Sequence, residues 1–341
     1  MKTDPFTLKR ILAASLGQVV ETLGVNGVGV PLEAPKEQAH GDFSTPVAMG
    51  LAKTLRKAPL TIANEIVAKW KWDPTLISEV TVAPPGFINM RLAPGVLQGA
   101  LLSAFAAGAD YGRNEEEKNQ KVLLEFVSAN PTGPLNIVSA RAAALGDSMA
   151  RLLRKSGAEV TCEYYVNDAG VQARLFGESL LAACQRVQGN HQDAPEGGYQ
   201  GAYMEDLARE FLADPEWKGK LAGNNGTTSA GELGTAGMAK VIAWHEASLG
   251  RYDVKFDQWY SEKKRLHETG LVKKTVDKLK AKNLTFEGEG ALWLKVSEYG
   301  APKDEVLVKR DGMPAYFAPD IAYHLDKFAR GYNRLVDIWG P

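Results

Sequence analysis

Residues 122–166 read "VLLEFVSANPTGPLNIVSARAAALGDSMARLLRKSGAEVTCEYYV". The first six, Val122 to Val127, are a continuous apolar and β-branched run, the pattern of a strand buried on both faces. A turn-rich loop follows. Over residues 139–155, Ala140, Ala143, Ala144, Met149, Leu152 and Leu153 recur at helical intervals, and Gly157 stands where a helix C′ residue is expected. Residues 159–166 read as the next strand. Strand, loop, helix and strand in about 45 residues make a βαβ unit, which predicts a Rossmann-like α/β domain with a parallel sheet.

The loop between such a strand and helix is where open α/β sheets hold ligands. The helix end offers unpaired N–H groups and a partial positive charge, both suited to phosphate. Pro131, Gly133 and Pro134 fix a tight backbone able to lie against a flat ligand. An ordinary structural βα turn has the same local pattern.

Polar residues at the strand ends sharpen the picture. Glu125 interrupts the apolar run, and Asn130 follows in the loop. A carboxylate in a buried strand is costly unless paired, so Glu125 is either an internal salt-bridge partner or a counter-charge for a cationic substrate. "YYVNDAGVQ" puts Asn167, Asp168 and Gln172 just past the next strand, on the same sheet edge. "AYFAPDIAYH" puts Tyr316 and Asp320 four residues apart, one turn if helical. These carboxylates have no metal-ligand cluster nearby, which suggests an organic cation. The five histidines, His40, His191, His245, His267 and His324, show no zinc-type spacing. There is no P-loop and no GxSxG elbow.

Residues 1–112 read as a separate, small α+β unit. Ile11, Leu12, Leu16, Val19, Val20 and Leu23 recur at helical spacing. "APLTIANEIVAKW" reads as a second helix with Thr61 as N-cap, and "EVTVAPPGFINMRL" as two strands around a Pro-Pro-Gly turn. This unit holds 10 Lys and Arg against 9 Asp and Glu, so it is electrically balanced. The polar "YGRNEEEKNQK" reads as a linker into residues 113–341. An insertion is expected over about 188–300, with Gly- and Asn-rich loops up to residue 236 around the helix "MEDLAREFLAD", then helix from Met238 to about Lys282. "EGALWLKV", "EVLVKRDGMPAYF" and "RLVDIWG" read as strands.

The whole chain has 341 residues, 45% hydrophobic and 24% charged, the balance of a globular protein. No apolar run approaches the roughly 20 residues that span a bilayer, and the N-terminal patch reads as an amphipathic helix. No membrane association is expected. Two cysteines point to a reducing compartment, so the cytoplasm is the expected location. The net charge of −1 argues against a generally basic nucleic-acid coat but leaves room for a local basic groove.

Eight strings, in order, carry a resemblance: "HGDFSTPVAMGLAKTL", "APPGFINMRL", "EFVSANPTGPLNIVSARAAALGD", "EYYVNDAGVQ", "GYQGAYMEDLA", "FDQWYSE", "VLVKRDGMPAYFAPDIAYHLDK" and "RLVDIWG". Together they closely resemble the arginyl-tRNA synthetases, which are class I aminoacyl-tRNA synthetases. The resemblance implies that arginine and ATP, with Mg²⁺ as part of the substrate complex, form arginyl-adenylate and pyrophosphate. The arginyl group then passes to tRNA(Arg). It also implies that Glu125, Tyr316 and Asp320 surround the guanidinium and that Asn130 holds the amino-acid head group, with Asn167, Asp168 and Gln172 beside them. ATP would lie on Pro131, Thr132, Gly133, Pro134, Leu135, Asn136, Ile137, Val138 and Ser139. Residues 1–112 would be the tRNA-elbow domain, with Phe87 and Asn89 on the D-loop; Phe87 as a core residue is an equal reading. No tightly bound metal is implied, and a monomer is expected.

The resemblance breaks in two places. Asn136 and Ser139 stand where the family signature has histidines, and Val138 where it has glycine. An asparagine amide and a serine hydroxyl still donate to phosphate oxygen, though neither carries a positive charge. We therefore expect Asn136 and Ser139 to take the catalytic places. The family also continues past the position of Pro341 with a KMSKS-type lysine loop and a helical anticodon-binding domain. The chain is accordingly expected to be the N-terminal portion of a longer enzyme and, alone, to activate arginine poorly or not at all. Two other readings stay open: a non-catalytic paralogue that binds tRNA or arginine, and a different nucleotidyl-transferring α/β enzyme.

Overall fold

A computed structural model describes residues 5–221 and 229–339. The chain divides into two compact units, residues 1–113 and 114–341.

In the first unit, α1 (Pro5–Glu21), α2 (Val47–Leu55) and α3 (Pro59–Lys69) pack with an antiparallel sheet of β1 (Phe43–Thr45), β2 (Ile77–Ala83) and β3 (Phe87–Leu92), in the order β1-β3-β2. The last element is α4 (Pro94–Ala107). Leu12, Leu16 and Val20, three positions of the predicted helical stripe, are buried with Ile62, Ile66, Ile88 and Met90. Thr61 is not the cap of α3. The helix begins at Pro59 with Ala58 before it, because a first-position proline needs no N–H partner and presets the helical φ.

The second unit is built on a four-stranded, all-parallel sheet. Its strands are β4 (Lys121–Glu125), β5 (Glu159–Val166), β6 (Gln258–Ser261) and β10 (Arg334–Asp337), in the order β10-β4-β5-β6. Between β4 and β5 runs α5 (Ile137–Lys155), the predicted crossover. Its Gly146 lies so close to the sheet that a Cβ there would meet the Phe126 ring at 2.2 Å. Gly157 ends the helix with φ +96°, its N–H bonded to the Arg154 carbonyl. After β5 come α6 (Gly170–Val187), α7 (Ala202–Ala213), α8 (Pro215–Lys220) and α9 (Ala230–Arg251), with their own core of Phe176, Leu180, Leu207, Phe211, Leu233 and Val241. A π-helical turn (Lys263–His267) and α10 (Leu271–Ala281) follow β6. A small antiparallel sheet of β7 (Thr285–Gly288), β8 (Ala291–Leu294) and β9 (Glu305–Val308) then leads into α11 (Phe317–Ala329).

Three expectations need correction. The apolar run ends as a strand at Glu125, not Val127, because Val127 and Ser128 turn the chain with φ of 67° and 41°. The stretch expected to be helical from Met238 to Lys282 contains β6, a strand of the main sheet, so the interval 188–300 is not one inserted block. The Gly-rich stretch expected to be loop is helix from Ala230 onward; its residues 222–228 lie outside the described residues. The glycines there serve packing. A Cβ on Gly177 of α6 would sit 1.9 Å from the Ala230 carbonyl oxygen, and one on Gly234 of α9 2.9 Å from the Gly177 Cα. Two helices that approach this closely admit no side chain between them.

Gly177→Ala is therefore expected to destabilise the second unit by at least about 1–3 kcal/mol, the range for overpacking a filled core. Urea unfolding measures it, and an unchanged midpoint would contradict the close crossing.

Candidate active site

The carboxyl edge of the parallel sheet opens into a cavity of about 800 Å³. Each wall comes from a strand end or from α11. Glu125 ends β4, with Ser128 and Asn130 following it; Tyr165 and Asn167 come from the end of β5; Trp339 follows β10; Tyr316, Asp320, Tyr323, His324 and Phe328 come from α11 and the residue before it. The structure thus brings together Glu125, Asn130, Asn167, Tyr316 and Asp320, which lie up to 195 positions apart in sequence.

One side chain organises the wall. Lys327 of α11 is fully buried, and its Nζ lies 2.6 Å from Glu125 Oε2 and 2.5 Å from Asp337 Oδ1. Glu125 and Asp337 are neighbours in the strand register, so one ammonium bridges both strand ends. Ser128 Oγ donates to the other Glu125 oxygen at 2.8 Å, and the Tyr165 N–H donates to Ser128 Oγ at 3.1 Å. The left-handed turn at Val127 and Ser128 puts that hydroxyl in place. Burial pushes the Glu125 carboxyl above its ordinary pKa, against the pull of Lys327 and Ser128. Burial also opposes charge on Asp337, but hydrogen bonds from His324 and Lys327 prevail and hold it below the usual range. Behind this cluster, Glu163 is fully buried, paired with Arg330 at 2.5 Å and accepting from Tyr323 Oη at 2.7 Å.

Asp320 is different. Among the described residues its carboxylate has no hydrogen-bond or ion-pair partner, and burial raises its pKa; nearby His324 and Lys327 pull it down and the charge of Glu262 pushes it up, and burial prevails. Glu262 stands directly after β6, is 9% exposed, and accepts from or pairs with His267 Nε2 at 3.0 Å. The Tyr316 phenol is raised first by burial and then by Asp320, Glu262 and Glu125. Two carboxylates, Glu125 and Asp320, therefore line the cavity, and the charge of Glu262 reaches it from just past β6. Glu262 was missed in the sequence because its strand was read as helix; a carboxylate just past a strand end was the available signal.

Asp168 and Gln172 do not line this cavity. The Asp168 carboxylate accepts from Ser261 Oγ at 2.5 Å and from the Lys263 N–H at 2.9 Å, so it caps the turn after β6. Gln172 lies exposed in the first turn of α6.

The Pro131–Ser139 stretch is held from behind. His245 of α9, 1% exposed, donates from Nε2 to the Gly133 carbonyl at 2.7 Å, which leaves Nδ1 to accept from Tyr164 Oη at 2.9 Å. Tyr164 also takes the Ala129 N–H at 3.1 Å, and Tyr203 Oη donates to the Thr132 carbonyl at 3.0 Å. Burial lowers the His245 pKa, which suits the neutral ring. Asn136 is the N-cap of α5: its Oδ1 accepts from the Val138 N–H at 3.0 Å, the Ser139 N–H at 3.1 Å and Ser139 Oγ at 3.3 Å. This corrects the expectation for Ser139, which is buried with its hydroxyl directed into the cap. It also closes two of the N–H groups expected to face phosphate. The Asn136 amide nitrogen remains as a donor. Leu135, Asn136 and Ile137 border a second cavity of about 450 Å³, with Arg251 and Tyr252 opposite.

In the first unit, Phe87 and Asn89 line one cavity of about 440 Å³ with Glu33, His40 and Ser44. Asn89 is 5% exposed and accepts from Ser44 Oγ at 2.7 Å.

Comparison with known proteins agrees with this geometry. Residues 101–336 match the family described as tRNA synthetases class I (R), catalytic domain. Residues 7–92 match the arginyl tRNA synthetase N-terminal domain. The chain belongs to the arginyl-tRNA synthetase family. It is 42% identical over 318 residues to arginine–tRNA ligase of Shouchella clausii, covering 91% of this chain and 55% of that protein. It is 41% identical over 337 residues to arginine–tRNA ligase of Desulforudis audaxviator, covering 98% and 59%. The solved Thermus thermophilus arginyl-tRNA synthetase superposes with a TM-score of 0.64 at 25% identity, over 93% of this chain and 53% of that one. The chain thus spans a little over half the length of these proteins.

Lys327→Met removes the buried ammonium that joins Glu125 to Asp337, leaving only His324, at 3.5 Å, beside Asp337. It is expected to cost about 3–5 kcal/mol at neutral pH, the range for a broken buried pair. The loss should shrink on acidification, because Glu125 already titrates above its ordinary value and takes up a proton first. Denaturant unfolding against pH reads both; a loss under 1 kcal/mol would show that the pair does not hold α11 to the sheet.

Proposed function

We propose that the chain carries the arginine-binding and nucleotide-signature half of an arginine–tRNA ligase. In the proposed reaction the arginine carboxylate attacks the α-phosphorus of ATP, which enters with its Mg²⁺, and pyrophosphate leaves. A terminal ribose hydroxyl of tRNA(Arg) then attacks the carbonyl carbon of the adenylate, and AMP leaves.

The observation that carries this reading is the uncompensated charge at the cavity mouth. Glu125 has its own internal cation and Glu262 faces His267, so the lining carboxylate left to meet a substrate cation is Asp320, with the Tyr316 phenol in the same wall and Glu262 adding negative potential from behind. A planar guanidinium presents several donors in a fixed fork and suits two carboxylates better than an ammonium does. Asn130 and Asn167, at the ends of neighbouring strands, are placed for the head group. The Asn136 amide is the donor for phosphate, and Ser139 acts through Asn136 by holding its cap. Phe87 and Asn89 offer a stacking face and an amide to an RNA base. We assign the protein to the cytoplasm, as a monomer.

Asp320→Asn is expected to weaken L-arginine binding by roughly 10- to 100-fold, the loss of charge-assisted hydrogen bonds worth about 1.5–3 kcal/mol. In the wild type, affinity should fall on acidification as Asp320 protonates, starting above the usual 3.8 because burial raises its pKa, and should be flat at neutral pH. Calorimetric titration measures both. Unaltered affinity in the variant would exclude Asp320 from the guanidinium site.

A further inference from the structure

The net charge of the chain is −1, yet it is unevenly distributed. Residues 263–282 contain eight Lys and Arg against only Glu268 and Asp277, a local excess of six positive charges, which leaves −7 for the remainder. All eight basic residues are exposed. None forms an ion pair among the described residues, whereas Lys57, Arg151, Arg209 and Lys240 all do.

The arrangement is regular. Lys274, Lys278 and Lys282 follow one another at i, i+4 and i+8 along α10 and its C-cap, about 6 Å apart in rise. Like charges at this spacing repel and weaken a helix. The helix macrodipole favours cations in the last turn, which accounts for Lys278 and Lys280 but not for Lys274 or for the cations of the π-helical turn. The opposite face of α10 buries Val272, Thr275 and Val276, so the row is turned outward. The surface also adjoins the cavity. The π-helical turn begins one residue after Glu262, and α10 packs against α11, whose first turn holds Asp320.

We propose that the α10 row and the π-helical turn form a track for the phosphodiester backbone of the RNA substrate, guiding its reactive end to the cavity. The proposal rests on the tRNA reading above and deepens it. A duplex carries one negative charge per about 1.7 Å, so 16 Å of helix faces several phosphates, and each neutralised phosphate steepens the salt dependence of binding by about 0.7–0.9. Repulsion within the lysine row is relieved when RNA is bound.

The test is fluorescence-anisotropy binding of a tRNA(Arg) transcript to the full chain over a series of salt concentrations. Wild type is compared with Lys274→Gln/Lys278→Gln/Lys282→Gln and with the matching triple Lys→Arg variant. The glutamine variant should bind about tenfold or more weakly, with a log–log salt slope shallower by about 2. The arginine variant should behave as wild type, and L-arginine binding should be the same in all three. Wild-type affinity and slope in the glutamine variant would overturn the track and leave the tRNA reading standing. No RNA binding by wild type that still binds arginine would overturn both.

Discussion

The ammonium of Lys327 is the interaction on which the site depends. It joins α11, a late element, to the ends of β4 and β10 through Glu125 and Asp337. Without a cation there, two carboxylates in register on adjacent strands would face each other in a buried setting, and one would have to stay protonated. With it, α11 lies across the sheet edge and brings Tyr316 and Asp320 over the strand ends. The Arg330–Glu163 pair repeats the device one strand along. These pairs set geometry more than stability, since well-packed apolar groups often do as well in a protein interior.

The same bookkeeping of charge decides which carboxylates of the cavity are left without an internal partner. A carboxylate already paired inside the protein has little left for a ligand. Asp320 has no direct partner among the described residues, and burial raises its pKa against the pull of His324 and Lys327, so an arriving cation would relieve the cost of its charge. The front of α5 follows a different logic. Asn136 closes the front of α5 with its own carbonyl oxygen, which leaves an amide rather than a row of free backbone donors. The turn before it is fixed by His245 and Tyr203 from the α7 and α9 layer, so its shape does not depend on which residues fill the signature positions.

Much of the fold was legible from local pattern. The β4–α5–β5 unit has strong periodicity, a glycine stop and two apolar runs, and the structure has all three elements there. The parallel sheet follows from it, and the small α+β unit from its own helical stripe and its two strands around the Pro-Pro-Gly turn. Strand β6 escaped because "QWYS" is four residues long and lies between two helical patterns. The start of α9 escaped because its glycines resemble a loop in sequence, while in space they let α6 approach. In the site, Glu125, Asn130 and Asn167 were readable as polar residues near strand ends, and Tyr316 and Asp320 as a pair one helical turn apart. Lys327 and His245 were not, because Glu125 and Gly133 lie 202 and 112 positions away from them and nothing local marks a buried lysine or a neutral histidine. Asp168 was overread: proximity to a strand end does not distinguish a ligand-facing carboxylate from one that caps the next turn.

The central claim is that the cavity at the sheet edge is a cradle for a positively charged planar side chain. L-citrulline has nearly the shape of L-arginine but no charge, so calorimetric titration of the two against the full chain tests the claim most directly. The account predicts saturable arginine binding and no measurable heat with citrulline under the same conditions. Equal affinity for the two would contradict it.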